Sequence, residues 1–220
     1  MKIVCISDTH GEHEAVTLPE GDVLVHAGDI TAHGSRDDYL SFIQWFAKQP
    51  HANKLFIGGN HDTYLENNHD KVLAVAEDNK VIYLNDSGVQ INNVTFWGSP
   101  ITPRFHDWSF MRDADEINDH WKLIPEDIQV LITHGPVWGV LDVVRRSETL
   151  QEHTGCPSLA KRIEALRPDY HIFGHIHEGY GTYSTEHTDF LNVSTMNQQY
   201  KIQNQPVVVE INEDLAANSL

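Results

Sequence analysis

Cysteine is almost absent: Cys5 and Cys156 are the two in a chain of 220 residues. Two thiols make no disulfide framework, and a reducing, cytoplasmic setting is the simplest inference. Cys5 lies inside an apolar run and reads as a small core residue. Long apolar runs are missing too. No stretch approaches the roughly 20 apolar residues of a membrane span, so no membrane partner is expected. The opening MKIVCISDTHG lacks a long apolar core and a small-residue cleavage site. It reads as a first strand rather than a signal peptide. Positive charge is scarce, with 15 Lys and Arg against 32 Asp and Glu and a net charge of −17. Such a chain repels polyanions and acidic lipid at long range. That disfavours extended nucleic-acid binding unless bound cations reverse the local field. Repeats, low-complexity tracts and linkers are lacking as well. With 40% apolar residues the chain is expected to be globular. Its length suits one domain with a sizeable core, which we assign to residues 1–212, with 213–220 as a frayed tail.

What is present is a series of short apolar strands. Short apolar runs fall at 2–7, 22–27, 53–57, 81–84, 127–133 and 169–173. Residues 35–49 place Tyr39, Phe42, Ile43 and Phe46 at helical spacing behind Ser35, a natural N-cap. Residues 67–78, 114–123 and 158–166 also read as helices. Residues 89–91 and 94–97, joined by Asn92-Asn93, read as a hairpin. Further strands are expected at 181–183, 189–193 and 206–211. Strand–helix alternation in the first half predicts parallel α/β units, and the second half is richer in hairpins. The expectation is an α/β domain of two packed sheets with helices on the outer faces.

The apolar strands share one kind of ending. Each stops in a glycine-bracketed group of Asp, Asn or His: Asp8 and His10; Asp29; Asn60 and His61; His134; His175 and His177. Ligands of open α/β sheets sit at the carboxyl ends of strands. His175 and His177, two apart in FGHIHEGYG, face one side of an extended chain, as metal ligands or an acid/base pair do. Leaving His61 aside, the set holds two carboxylates, one carboxamide and four imidazoles. That exceeds one tetrahedral zinc. It suits two divalent ions sharing a carboxylate, ~3.5–4 Å apart, clamping a phosphoryl group.

The motifs D-x-H (Asp8, His10), G-D (Gly28, Asp29), G-N-H-D (Gly59–Asp62), T-H-G-P (Thr133–Pro136) and G-H-x-H (Gly174–His177) resemble the calcineurin-like metallophosphoesterase superfamily, in its order. WGSPITPRFHDWSF, THGPVWGVLD and FGHIHEGYG resemble its MPPED branch. The resemblance covers nearly the whole chain and implies a four-layer α-β-β-α sandwich of two mixed sheets. It implies that Asp8, His10 and His177 hold one metal, that Asn60, His134 and His175 hold a second, and that Asp29 bridges them. It further implies that His61 protonates the leaving oxygen while a metal-bridging hydroxide attacks phosphorus. Imidazole–carboxylate sites accept Mn²⁺, Fe²⁺, Co²⁺, Ni²⁺ and Zn²⁺, with manganese the first candidate. Asp62 is expected to cap a loop or orient a neighbour. The other histidines receive no role, although the loops of His33 and His106 are expected to border the site.

Substrate choice rests on less. The protein phosphatases of the superfamily carry an Asp and an Arg after the bridging aspartate. Here the text is Gly28-Asp29-Ile30-Thr31-Ala32-His33, and both are missing. The loop 99–113 offers Phe105, Trp108 and Phe110 as a stacking wall and Arg104 as a phosphate or base contact. The branch resemblance implies phosphodiesterase activity on small, nucleotide-like diesters. The rival readings are a phosphomonoesterase and a catalytically weak nucleotide- or partner-binding protein.

Overall fold

The computed structural model describes residues 1–145, 147 and 149–213. In chain order the strands begin with β1 (Lys2–Ile6), β2 (Val23–Ala27), β3 (Asn53–Ile57) and β4 (Ile82–Tyr83). A hairpin of β5 (Ser87–Ile91) and β6 (Val94–Ser99) follows, then a small ribbon of β7 (Thr102–Pro103) and β8 (Met111–Arg112). After β9 (Val130–Thr133) comes an outlying hairpin of β10 (Val143–Arg145) and β11 (Gln151–His153). The chain then forms β12 (Tyr170–Phe173), β13 (Gly181–Ser184), β14 (Asp189–Asn192) and β15 (Val207–Glu210). One sheet runs β15-β1-β2-β3-β4 and the other β13-β14-β12-β9-β6-β5. Both are mixed. β1, β2, β3 and β4 are parallel, with β15 antiparallel on the edge. β6, β9, β12 and β14 are parallel, flanked by antiparallel β5 and β13.

Side-chain alternation builds the layers. Ile3, Cys5, Val23, Val25, Leu55 and Ile57 meet Phe96, Val130, Ile132 and Ile172 between the sheets. Their neighbours Val4, Leu24, Phe56, Leu131 and Phe173 belong to the apolar cluster that also holds the helix residues. Both faces of each sheet are covered, which is why the central strands read as unbroken apolar runs. Helix α1 (Arg36–Ala47) buries Tyr39, Phe42, Ile43 and Phe46, and the Ser35 side chain accepts the Asp38 N–H as its cap. The anticipated two-sheet sandwich, its helix layers and the Asn-Asn hairpin are all present.

Local differences have local causes. The expected helix at 67–78 is α3 (His69–Asp78); a separate short helix, α2 (Thr63–Asn67), precedes it, the two parted where Asn68 leaves helical geometry at φ −136°. The expected helix at 114–123 is α4 (Ala114–His120), tightened to a 3₁₀ turn over Trp121–Leu123. Helix α5 (Pro157–Leu166) begins with proline in its first turn, where no N–H is needed. Hairpin β10–β11 was not anticipated, because its exposed strands carry no apolar alternation. Of the tail, Glu213 is described and accepts a hydrogen bond from Asn92. Residues 214–220 lie outside the described residues. No helix among the described residues is long and apolar enough to cross a membrane.

Phe110 corrects an expectation. It does not line the cleft with Phe105 and Trp108 but is 3% exposed within the core. Its ring covers Gly58, where a β-carbon would meet Phe110 Cε2 at 2.7 Å. The backbone turns it inward at φ +56°, and Glu66 accepts its N–H at 2.9 Å. Phe110→Ala should therefore act on stability, by about 3–5 kcal/mol. A urea titration checks this, and a loss under ~1 kcal/mol would contradict the assigned packing.

Candidate metal centre

The parallel strands β1, β2, β3, β9 and β12 all deliver their carboxyl ends to one edge. The loops there are laced together. Asp8 N–H donates to the Gly28 carbonyl, His10 N–H to Asp29, and Gly174 N–H to His134. Four of the seven anticipated metal ligands, Asp8, His10, Asp29 and His175, take positive φ between 41° and 68°. Non-glycine residues rarely do so, and such conformations collect at functional sites. Two glycines make the crowding feasible. A β-carbon at Gly174 would collide with the Asp8 carboxylate and Ser7, and one at Gly59 with Asp29 and His134.

Donor atoms converge in three overlapping groups: Asp8, His10 and His177; His10, Asp29 and His61; Asp29, His134 and His175. Within each group the atoms lie within 4.8 Å of one another. Asp29 Oδ2 is 3.3 Å from His134 Nε2 and 3.7 Å from His10 Nε2. Asp8 Oδ1 is 3.6 Å from His177 Nε2, and Asn60 Oδ1 is 3.0 Å from His134 Nε2. Ligands ~2.1 Å from one cation stand roughly 3–3.5 Å apart, so these separations suit shared cations.

Second contacts orient the donors. The Ala27 carbonyl holds His134 Nδ1 at 3.0 Å, and the Asn197 carbonyl holds His177 Nδ1 at 3.0 Å. Each bond directs Nε2 at the site, the usual support for an imidazole ligand. Asp8 accepts Ser194 Oγ at 2.7 Å and the His175 N–H at 3.0 Å. Asp29 Oδ1 accepts the His61 N–H at 2.8 Å. Asp62 ties the loops, accepting from Gly59 N, Ile30 N, Thr31 N and Thr31 Oγ1. The buried His26 and His171 act outside the site, on Thr9 and Thr133.

The electrostatics call for positive charge. Burial pushes the Asp29 carboxyl up, but the charge and hydrogen bond of His134 outweigh it and hold the group well below the usual range. Burial likewise opposes ionisation of Asp8, and His177 outweighs it. Burial opposes protonation of His134, yet Asp29 lifts it to about 9. His10 is pushed down by burial, and its Nε2 is buried without a hydrogen-bond partner. Burial and the nearby Asp29 charge push Asp62 up to about 7. Two buried carboxylates ringed by imidazoles, one with an orphaned nitrogen, are a donor set that fits divalent cations.

A cleft of about 410 Å³ opens over these donors. Trp108 sets its ring edge-on to His61 at 4.6 Å, and Phe105 lies 5.4 Å from His175. Ser109 anchors their loop, its N–H on the Asn60 carbonyl and its hydroxyl on Thr63. His106 lines the cleft; His33 is exposed elsewhere. Arg104 lines it too, but its Nε donates to Asp113 at 2.7 Å and its Nη1 lies 3.7 Å from Asp107. Tyr200 was not anticipated. It lies 5.2 Å from His10 and 5.0 Å from His177, at φ +55°. Nothing in its polar surroundings, NQQYK, marks it beforehand.

A two-sheet α/β sandwich with carboxylates and imidazoles gathered at its strand ends defines a metallohydrolase by class. The chain belongs to the calcineurin-like phosphoesterase family, whose match runs over residues 1–179. It is 39% identical over 224 residues to UPF0046 protein K07C11.7 of Caenorhabditis elegans, covering 96% of this chain and 75% of that one. It is 32% identical over 235 residues to human metallophosphoesterase domain-containing protein 1, covering 96% and 71% respectively. Among solved structures, TT1561 of Thermus thermophilus shares the fold at a TM-score of 0.63 and 13% identity, over 87% of this chain and 88% of that one. Family and donor set together imply metal-dependent phosphoester hydrolysis.

Proposed function

We propose that the protein is a phosphodiesterase acting on small diesters, nucleotides among them, with two divalent cations. Asp8, His10 and His177 would hold one and Asn60, His134 and His175 the other, with Asp29 shared. Manganese is the first candidate, and iron, zinc, cobalt and nickel suit the same donors. Bound there, such cations polarise phosphoryl oxygens and make water nucleophilic near neutral pH. The carrying observation is that Asp29 belongs to two adjoining donor groups beneath the aromatic cleft.

The chain's own residues divide the remaining work. Among the described residues the His61 ring has no hydrogen-bond partner and rests between His10 and Trp108. Its ring nitrogens are therefore available to protonate the departing alkoxide oxygen. Phe105 and Trp108, 45% and 44% exposed, offer ring faces to a flat group and exclude water from it. The charge balance of the cleft favours a diester. Arg104 is already met by Asp113, whereas a monoester's second negative charge calls for a further cation. Both cysteines are free and buried, which supports a reducing, cytoplasmic setting.

The test is to strip metal, restore Mn²⁺ and compare initial rates on bis-p-nitrophenyl phosphate and p-nitrophenyl phosphate. Metal-restored hydrolysis, faster on the diester, is expected. Faster monoester hydrolysis would make the protein a phosphomonoesterase. No restored turnover on either ester would favour a binding protein.

A further inference from the structure

Hairpin β10–β11 lies outside both sheets and has no part in the roles above. It nevertheless lines the cleft through Val144, Glu152, His153 and Thr154. At its base Asp142 is fully buried. Asp142 Oδ2 accepts the N–H groups of Gly139 at 3.0 Å and Gly155 at 3.1 Å. Asp142 Oδ1 accepts His153 Nδ1–H at 2.7 Å. The Asp142 carbonyl takes both the N–H and the hydroxyl of Thr154 at 3.0 Å. Trp138 packs on the imidazole with ring centroids 5.2 Å apart. A half-exposed ring is thus fixed by a buried carboxylate and an indole. Its Nε2 has no partner among the described residues, and the ring lines the same cleft as His61. Pinning the hairpin does not require this ring, because the bonds to Gly139, Gly155 and Thr154 already do so.

We propose that His153, oriented by Asp142, is a specificity-determining residue whose Nε2 hydrogen-bonds a hydroxyl on the alcohol group of the substrate. This deepens the phosphodiesterase reading and rests on it. With Nδ1–H given to Asp142, a neutral imidazole presents a lone pair at Nε2. A hydroxyl donates to that lone pair and accepts from the protonated ring. A second phosphate suits this end of the cleft poorly. Among the described residues Arg104 is the one Lys or Arg side chain lining it, and Arg104 is held by Asp113. A wholly apolar alcohol would bury Nε2 without a partner.

The experiment compares the wild-type chain, His153→Ala and His153→Gln on three diesters. The p-nitrophenyl ester of thymidine 5′-phosphate carries a sugar hydroxyl; its 3′-deoxy analogue and bis-p-nitrophenyl phosphate do not. His153→Ala should raise KM for the hydroxyl-bearing ester roughly five- to tenfold, the size of one hydrogen bond, with kcat nearly unchanged. The two other esters should not be slowed, and His153→Gln should recover part of the loss on the hydroxyl-bearing one. Equal effects on all three esters, or none on any, would overturn the proposal. Should the wild-type chain hydrolyse none of them, the phosphodiesterase reading falls by itself. Calorimetric titration of the Mn²⁺-loaded protein with thymidine 5′-monophosphate then decides the contact. Affinity lowered by the same factor in His153→Ala supports it, and unchanged affinity overturns it.

Discussion

Asp29→Asn should abolish most turnover, by roughly a hundredfold or more, and lower the bound metal with it. Loss of an outer-shell partner alone typically costs 10–100-fold in affinity or activity, and Asp29 sits among the donors themselves. Its Oδ2 stands between His134 Nε2 and His10 Nε2, while its Oδ1 accepts the His61 N–H. The amide removes the charge both imidazoles face. In one flip it turns an N–H donor toward His134 and His10; in the other, toward the His61 N–H. The variant keeps size and shape, so the comparison isolates charge and donor type. Metal-to-protein ratio measured by plasma mass spectrometry after gel filtration, beside rates on the diester, reads both effects. A circular dichroism melt guards against simple unfolding. Full metal content with less than about tenfold loss of rate would sink the shared-ligand assignment.

The residues that build this centre were legible because each strand ends in a polar group bracketed by glycine. Chemistry and geometry leave the same mark there. Positive φ at Asp8, His10, Asp29 and His175 re-aims side chains just past the sheet edge, and nearby glycines make room. The layers were legible for a different reason. Central strands covered on both faces must be apolar throughout, as the run Val23–Ala27 is but for the buried His26. What escaped notice was decided by tertiary contact. Tyr200 lies in a polar stretch and reaches His10 only because the turn around Asn197 brings it back. Phe110 is an aromatic in an aromatic loop, and only the room above Gly58 sends it inward while Phe105 and Trp108 stay out. Asp142 and His153 pair across eleven residues in a hairpin with no apolar pattern to announce it. Local chemistry thus marks the donors, while the walls of the cleft depend on which loop packs against which.

His61→Ala should lower kcat on a diester of aliphatic alcohols by about 10²–10⁴-fold, the usual contribution of a positioned proton donor, and leave metal content unchanged. The second half matters because the His61 ring also groups with His10 and Asp29 within 4.8 Å, close enough to serve as a ligand. A ligand and an acid differ in what their removal does. Losing a ligand lowers metal content and slows every substrate alike. Losing an acid slows a reaction in proportion to how badly its leaving group needs a proton. p-Nitrophenolate departs readily without one, whereas an alkoxide does not. The variant should therefore retain much of its rate on bis-p-nitrophenyl phosphate and lose most of it on a diester of two aliphatic alcohols. A uniform loss on both, with metal depleted, would make His61 a ligand. The backbone bond from His61 N–H to Asp29 survives the substitution, so the loop it anchors keeps its place. The ring alone is removed, and the leaving-group dependence then reports whether it supplies the proton.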